Sequence, residues 1–104
     1  MAVTAKTLAR TAAATSSATL YTVPTTSTTT VVTNIAVTNT ATSSATFTIS
    51  LDGVALFTST ALAASSTQFV DLKQVLAANA TPKIITGLAS ATTVNFHISG
   101  VEIA

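Results

Sequence analysis

The chain has 104 residues, no cysteine and no tryptophan, with four basic and three acidic side chains for a formal net charge of +1. Four cations cannot neutralise a run of phosphates, and a chain without cysteine has no disulfide frame, thiolate nucleophile or zinc knuckle. One domain is the natural count at this length, and no stretch approaches the ~18 apolar residues of a membrane span.

More than half of the chain is small or hydroxylated, with 24 Thr, 20 Ala and 11 Ser. Such compositions are often disordered, but disorder needs few large apolar residues together with high net charge. Leu, Val, Ile and Phe supply 28 of the 104 positions, above the ~20% that marks disordered chains. The chain therefore folds. Only 7% of its residues are charged, against about 25% in ordinary soluble domains, so a free subunit lacks the charges that keep proteins apart. This composition predicts a protein that works assembled.

Residues 1–18 carry Lys6 and Arg10 and few large apolar side chains. Thr and Ser interrupt the alanines, so no apolar core of a signal peptide follows the basic residues. The chain reads as complete from Met1, and this segment reads as an extended N-terminal arm preceding a domain over 19–104. From Thr19 the pattern alternates with period two. Residues 20–23 form a short strand closed by Pro24, and residues 30–39 a second, with Val31, Ile35 and Val37 on one face and Asn34, Ala36 and Thr38 on the other. In residues 45–51, Ala45, Phe47, Ile49 and Leu51 alternate with Thr46, Thr48 and Ser50. Asp52-Gly53 then marks a type I′ hairpin, because both central residues of that turn need positive φ. Residues 54–60 return as its partner strand.

Residues 61–67 form a small-residue connection to a strand over 68–72, whose apolar members are Phe69, Val70 and Leu72. Residues 73–80 have helix-forming composition and predict a turn of helix or a bend, ended by Asn79. Residues 83–88 form a strand stopped near Gly87. Over 91–103, Val94, Phe96 and Ile98 face one way and Asn95, His97 and Ser99 the other, and the face switch before Val101 and Ile103 predicts a bulge near Gly100. Seven or eight short antiparallel strands predict an all-β, single-domain β-sandwich, jelly-roll or immunoglobulin-like.

No catalytic constellation stands out. His97 is the only imidazole, and its place between Asn95 and Ser99 makes it an exposed or hydrogen-bonded strand residue. No G-x-S-x-G elbow is present. Asp52, Asp71 and Glu102 are scattered, so neither a glycosidase pair nor a calcium site is indicated. Gly53, Gly87 and Gly100 are too far apart for a phosphate loop. Tyr21, Phe47, Phe57, Phe69 and Phe96 read as core rather than as a sugar platform. The expectation is a protein that is not an enzyme and takes no cofactor or metal.

The segments TLYTVP (19–24), TTVVTNIAVTNT (29–40), ATFTISLDGVAL (45–56), LAANA (76–80) and VNFHISGVEI (94–103) resemble the small β-sandwich virion proteins of tailed bacteriophages, a group that includes capsid decoration (cement) and head-fibre proteins. Thr25-Thr26 stand where such proteins often carry Ala-Gly, and Asn79 where they often carry Gly. The resemblance implies a non-enzymatic protein on the virion surface, made in the host bacterial cytoplasm, that stabilises the head by multivalent contacts across capsid subunits. Expected partners are further copies of itself, as a homotrimer, and the major capsid protein or another virion protein, with neither nucleic acid nor membrane. The arm would add to an exposed strand edge, with Leu8 as anchor and Lys6 and Arg10 facing acidic shell residues. The alternatives are a tail or fibre accessory or receptor-binding module and, less directly, a bacterial surface adhesion domain.

Overall fold

The computed structural model describes residues 2–104 and contains eight strands: β1 (Val3–Ala12), β2 (Ala18–Thr22), β3 (Thr29–Asn39), β4 (Ala45–Leu51), β5 (Val54–Leu62), β6 (Thr67–Leu76), β7 (Ile84–Ala89) and β8 (Val94–Ile103). Sheet I has the order β1-β8-β3-β6 and sheet II the order β2-β7-β4-β5, every neighbouring pair antiparallel. The chain changes sheet at each connection except the β4–β5 hairpin. Two four-stranded sheets filled in this order are a jelly roll, not the unequal sheets of an immunoglobulin domain.

The core lies between the sheets and follows the period-two pattern. Phe47, Ile49, Ile85, Ile35, Val94, Phe96 and Ile98 are at most 1% exposed. The Phe47 ring sits 5.4 Å from that of Phe57 and 6.4 Å from that of Phe96, so aromatic rings bridge the two layers. One buried polar side chain organises an end of the sandwich. Asn39, 1% exposed, donates from Nδ2 to the Ser43 carbonyl at 2.8 Å and accepts at Oδ1 from the Ala41 amide (3.1 Å) and the Thr93 hydroxyl (3.4 Å). It thereby satisfies its own buried amide and ties the β3–β4 loop to the β7–β8 loop.

The hairpin forms as the sequence predicts, with φ of 55° at Asp52 and 78° at Gly53. Lys83 Nζ donates to Asp52 Oδ2 at 2.8 Å and fastens the turn. Elsewhere several expectations change. Residues 3–12 are extended but are not a separate arm: they pair along β8 as an edge strand of sheet I, and Leu8 and Ala9 enter the core. Bulging at Leu8 hides the alternation of this strand. Val31 is not an inward residue. The register of β3 slips at Thr33, which buries Val32 and turns Val31 outward. The anticipated helical turn at 73–80 is absent, because residues through Leu76 continue β6 by pairing with Thr30, Val31 and Val32. Phe69 is not core: it lies on the outer side of edge strand β6, 72% exposed.

The irregularity anticipated near Gly100 exists but belongs to its neighbours. β8 alternates without interruption, while β1 and β3 bulge beside it at Leu8 and Thr33. A Cβ on Gly100 would collide with the Val31 carbonyl oxygen and come within 2.9 Å of Leu8 Cδ1. Gly53, in contrast, has open space around it but positive φ. Gly53→Ala is therefore expected to cost about 1 kcal/mol through backbone strain. Gly100→Ala should cost more, roughly 2–3 kcal/mol, because the backbone of β3 must move. Urea denaturation of the two variants checks the order; equal losses would contradict the close approach at Gly100.

Candidate interaction surface

The outer face of sheet I is built in rows, because residues in register across four strands stand side by side. At the end where the chain termini meet, Val3 lies opposite Ile103, and the next row runs Ala5, Val101, Val31, Val75 across the whole sheet. Val3 is 62% and Val75 59% exposed, so this apolar band faces solvent. At the bulges the row is polar, Thr7, Ser99, Asn34, Asp71, and the one beyond is mixed, Arg10, His97, Ala36, Phe69. Asn34 Nδ2 donates to Asp71 Oδ1 at 3.0 Å, and the Thr38 and Thr67 hydroxyls pair at 3.0 Å.

The seven charges divide in an informative way. Lys83 pairs with Asp52 at the hairpin and Lys6 with Glu102 at 3.3 Å. Among the described residues, Arg10, Asp71 and Lys73 have no ion-pair partner, and all three lie on sheet I away from the core. An open depression lined by Thr33, Asp71, Leu72 and Lys73 follows the bulges, and another is lined by Arg10, Thr11, Ala12, Asn95 and His97.

Of the three residues expected to bind a partner, Arg10 is exposed beside His97 and is available. Lys6 is occupied within the chain by Glu102. Leu8, 7% exposed, is spent on its own core and cannot anchor a neighbour. The topology also separates the side chains from which a hydrolase triad could be written. His97 is on β8 of sheet I, Asp52 is in the sheet II hairpin, and Asp71 is two strands from His97, roughly 10 Å across the sheet. Among the described residues, no group of three or more His, Cys, Asp or Glu side chains comes together as a metal site would require. The exposed Phe69 and Val75 on β6 were not legible as surface residues, since nothing in the pattern distinguishes an edge strand from an inner one.

Glu102 also joins a buried polar cluster. The Tyr21 hydroxyl donates to the Glu102 carboxylate and lies 2.8 Å from the Thr30 hydroxyl. A phenol has one hydrogen to give, so Thr30 is the donor in the second bond. Burial, then the Glu102 hydrogen bond and negative charge, push the Tyr21 pKa up to about 12, against a smaller opposing effect of Thr30.

The same backbone arrangement occurs in particle proteins of infectious bursal disease virus. The chain matches the T13 viral particle with a TM-score of 0.59 at 12% identity, the Gx strain at 0.52 and 14%, and the VP2 subviral particle at 0.51 and 12%. Each match covers 97% of this chain, which spans only 30–32% of the length of those proteins. At such identities the likeness is one of fold. The sequence matches no family profile, and no curated protein is similar to it in sequence.

Tyr21 is the only tyrosine and the chain has no tryptophan, so phenolate absorbance reports this cluster alone. The folded protein is expected to ionise with a midpoint near pH 12 instead of 10. Because the folded pKa is raised, the phenol's contribution to stability is whole below pH 10 and is lost as pH climbs to about 12. Tyr21→Phe should remove this alkaline dependence. It should also cost about 1–3 kcal/mol by stripping a partner from buried Thr30. A titration midpoint near 10 in the folded state would contradict the cluster.

Proposed function

We propose that this chain is a structural protein of a virus particle and, within that class, a capsid decoration (cement) protein of a tailed bacteriophage, acting on the outer surface of the head. The observation that carries the reading is the strand order of the two sheets, together with a likeness to virus-particle proteins that spans 97% of the chain. Jelly rolls also serve lectins and cupins, so the fold needs a second argument. Here the surface supplies it. A sheet face with an apolar band and three unpaired charges suits docking on a large protein surface better than it suits enclosing a small ligand.

In this reading several copies of the chain act together, and weak contacts to the major capsid protein or another virion protein are multiplied by their number. Recognition uses the outer face of sheet I, not a reaching arm, because residues 3–12 are committed to β8. Of the two basic residues of β1, Lys6 is paired with Glu102 and Arg10 is free to meet acidic groups on the shell. Deleting residues 1–18 would not isolate such a contact, since it removes Leu8 and the whole of β1.

In purified particles of the encoding phage, this chain should occur in fixed proportion to the major capsid protein. A few copies per particle would instead mark a tail or fibre component, and no copies would end the virion reading. Arg10→Glu should weaken binding to particles lacking the protein by about tenfold, measured by co-sedimentation. Unchanged binding would remove Arg10 from the contact.

A further inference from the structure

Four strands have an open edge, and three of them are disfavoured for pairing. β2 is five residues long and closes at Val23-Pro24; β5 slips register twice and holds Ser59 at φ 42°; β1 bulges at Leu8. These are the usual devices against edge-to-edge association. β6 is different. It is ten residues long, and although its register against β3 shifts once, where Leu72 and Lys73 stand opposite Thr33, its faces keep alternating, with Phe69, Asp71, Lys73 and Val75 all on the outer side and exposed. Neither Asp71 nor Lys73 has an ion-pair partner among the described residues, and Phe69 and Val75 are 72% and 59% exposed.

The order of these four side chains is self-complementary. A two-fold axis through Leu72 that pairs β6 with β6 of a second copy sets Asp71 opposite the other copy's Lys73 and Phe69 opposite its Val75, each contact occurring twice. Residues directly opposite in an antiparallel pair share a face, so these contacts are made on the outer side of the sheet. We propose that a second copy of this chain docks on the β6 edge in this register and joins the two copies of sheet I into one continuous eight-stranded sheet. Charge complementarity picks out the occupant: the acid and the base that β6 leaves unpaired stand directly opposite each other only in this antiparallel register. The contact is isologous and closes at two copies, a symmetry that a ring of three does not contain. It is independent of the proposed role on a virion and is measured without particles.

The test is a charge exchange on the full chain, read by sedimentation over a concentration series. The native protein should dimerise. Asp71→Lys alone and Lys73→Asp alone each set like charges face to face twice and should weaken the dimer at least tenfold. The double variant, and an equimolar mixture of the two single variants, should both recover it, because opposite charges again meet. A monomeric native protein, single variants that dimerise as well as the native chain, or a folded double variant that does not recover would each overturn the proposal. Leu72→Cys gives a second reading that does not depend on charge. The chain has no cysteine of its own, so mild oxidation should yield a covalent dimer at this position. Val75→Cys should give none, since its symmetry mate lies roughly 20 Å away. The reverse pattern would also overturn the register.

Discussion

The ladder between the first and last strands is the constraint on which the architecture rests. β8 carries Val94, Phe96 and Ile98 into the core and needs a neighbour on each side; β3 supplies one and β1 the other. The pairing runs from Ala2 and Ala104, whose amides and carbonyls bond reciprocally, to Ala13, whose amide donates to Val94. Without β1 the sheet would lose Leu8 and Ala9 from the core and expose the edge of β8, which carries Val94, Phe96 and Ile98. The segment that looks most expendable by composition is therefore structural. Because the partners are the two ends of the chain, this closure is also the most costly contact in loop entropy, and it rewards folding only late.

The charges show how a nearly uncharged chain divides its few ions. Two pairs are spent inside the subunit, one at the β4–β5 turn and one beside the Tyr21 cluster. The remaining three all lie on sheet I, the sheet that also carries the apolar band. Sheet II presents Thr46, Thr48 and Ser50 on the outer side of its inner strand β4, residues that suit a pleated surface and ask for no partner. The exposed apolar side chains of sheet II, Val54 and Leu56, stand on its irregular edge strand β5, whereas the unpaired charges are confined to sheet I.

How much of this could be read from the residues alone varied along the chain for physical reasons. In β4 the alternation of Phe47 and Ile49 with Thr46 and Thr48 is strong, and Asp52-Gly53 admits one turn geometry, so strand and hairpin were legible. In β3 the same logic puts Val31 on the face of Ile35 and Val37, whereas Val32 is the buried residue, because one bulged residue inverts the parity of everything before it. In β1 the alternation is carried by Ala and Thr, whose contrast is weak, and Leu8 sits at the bulge. Lys73–Leu76 has helical composition but is held extended by pairing with β3, a tertiary contact that overrides propensity. The seat of Leu8 in the core and the exposure of Phe69 both depend on strand order, which periodicity does not encode.

The reciprocal bonds between Ala2 and Ala104 leave the two chain ends side by side on one sheet. Anything fused to either terminus leaves the subunit from the same spot. The backbone could equally be made circular there with a short linker and reopened at the Asp52-Gly53 tip, leaving all other strand pairings as they are.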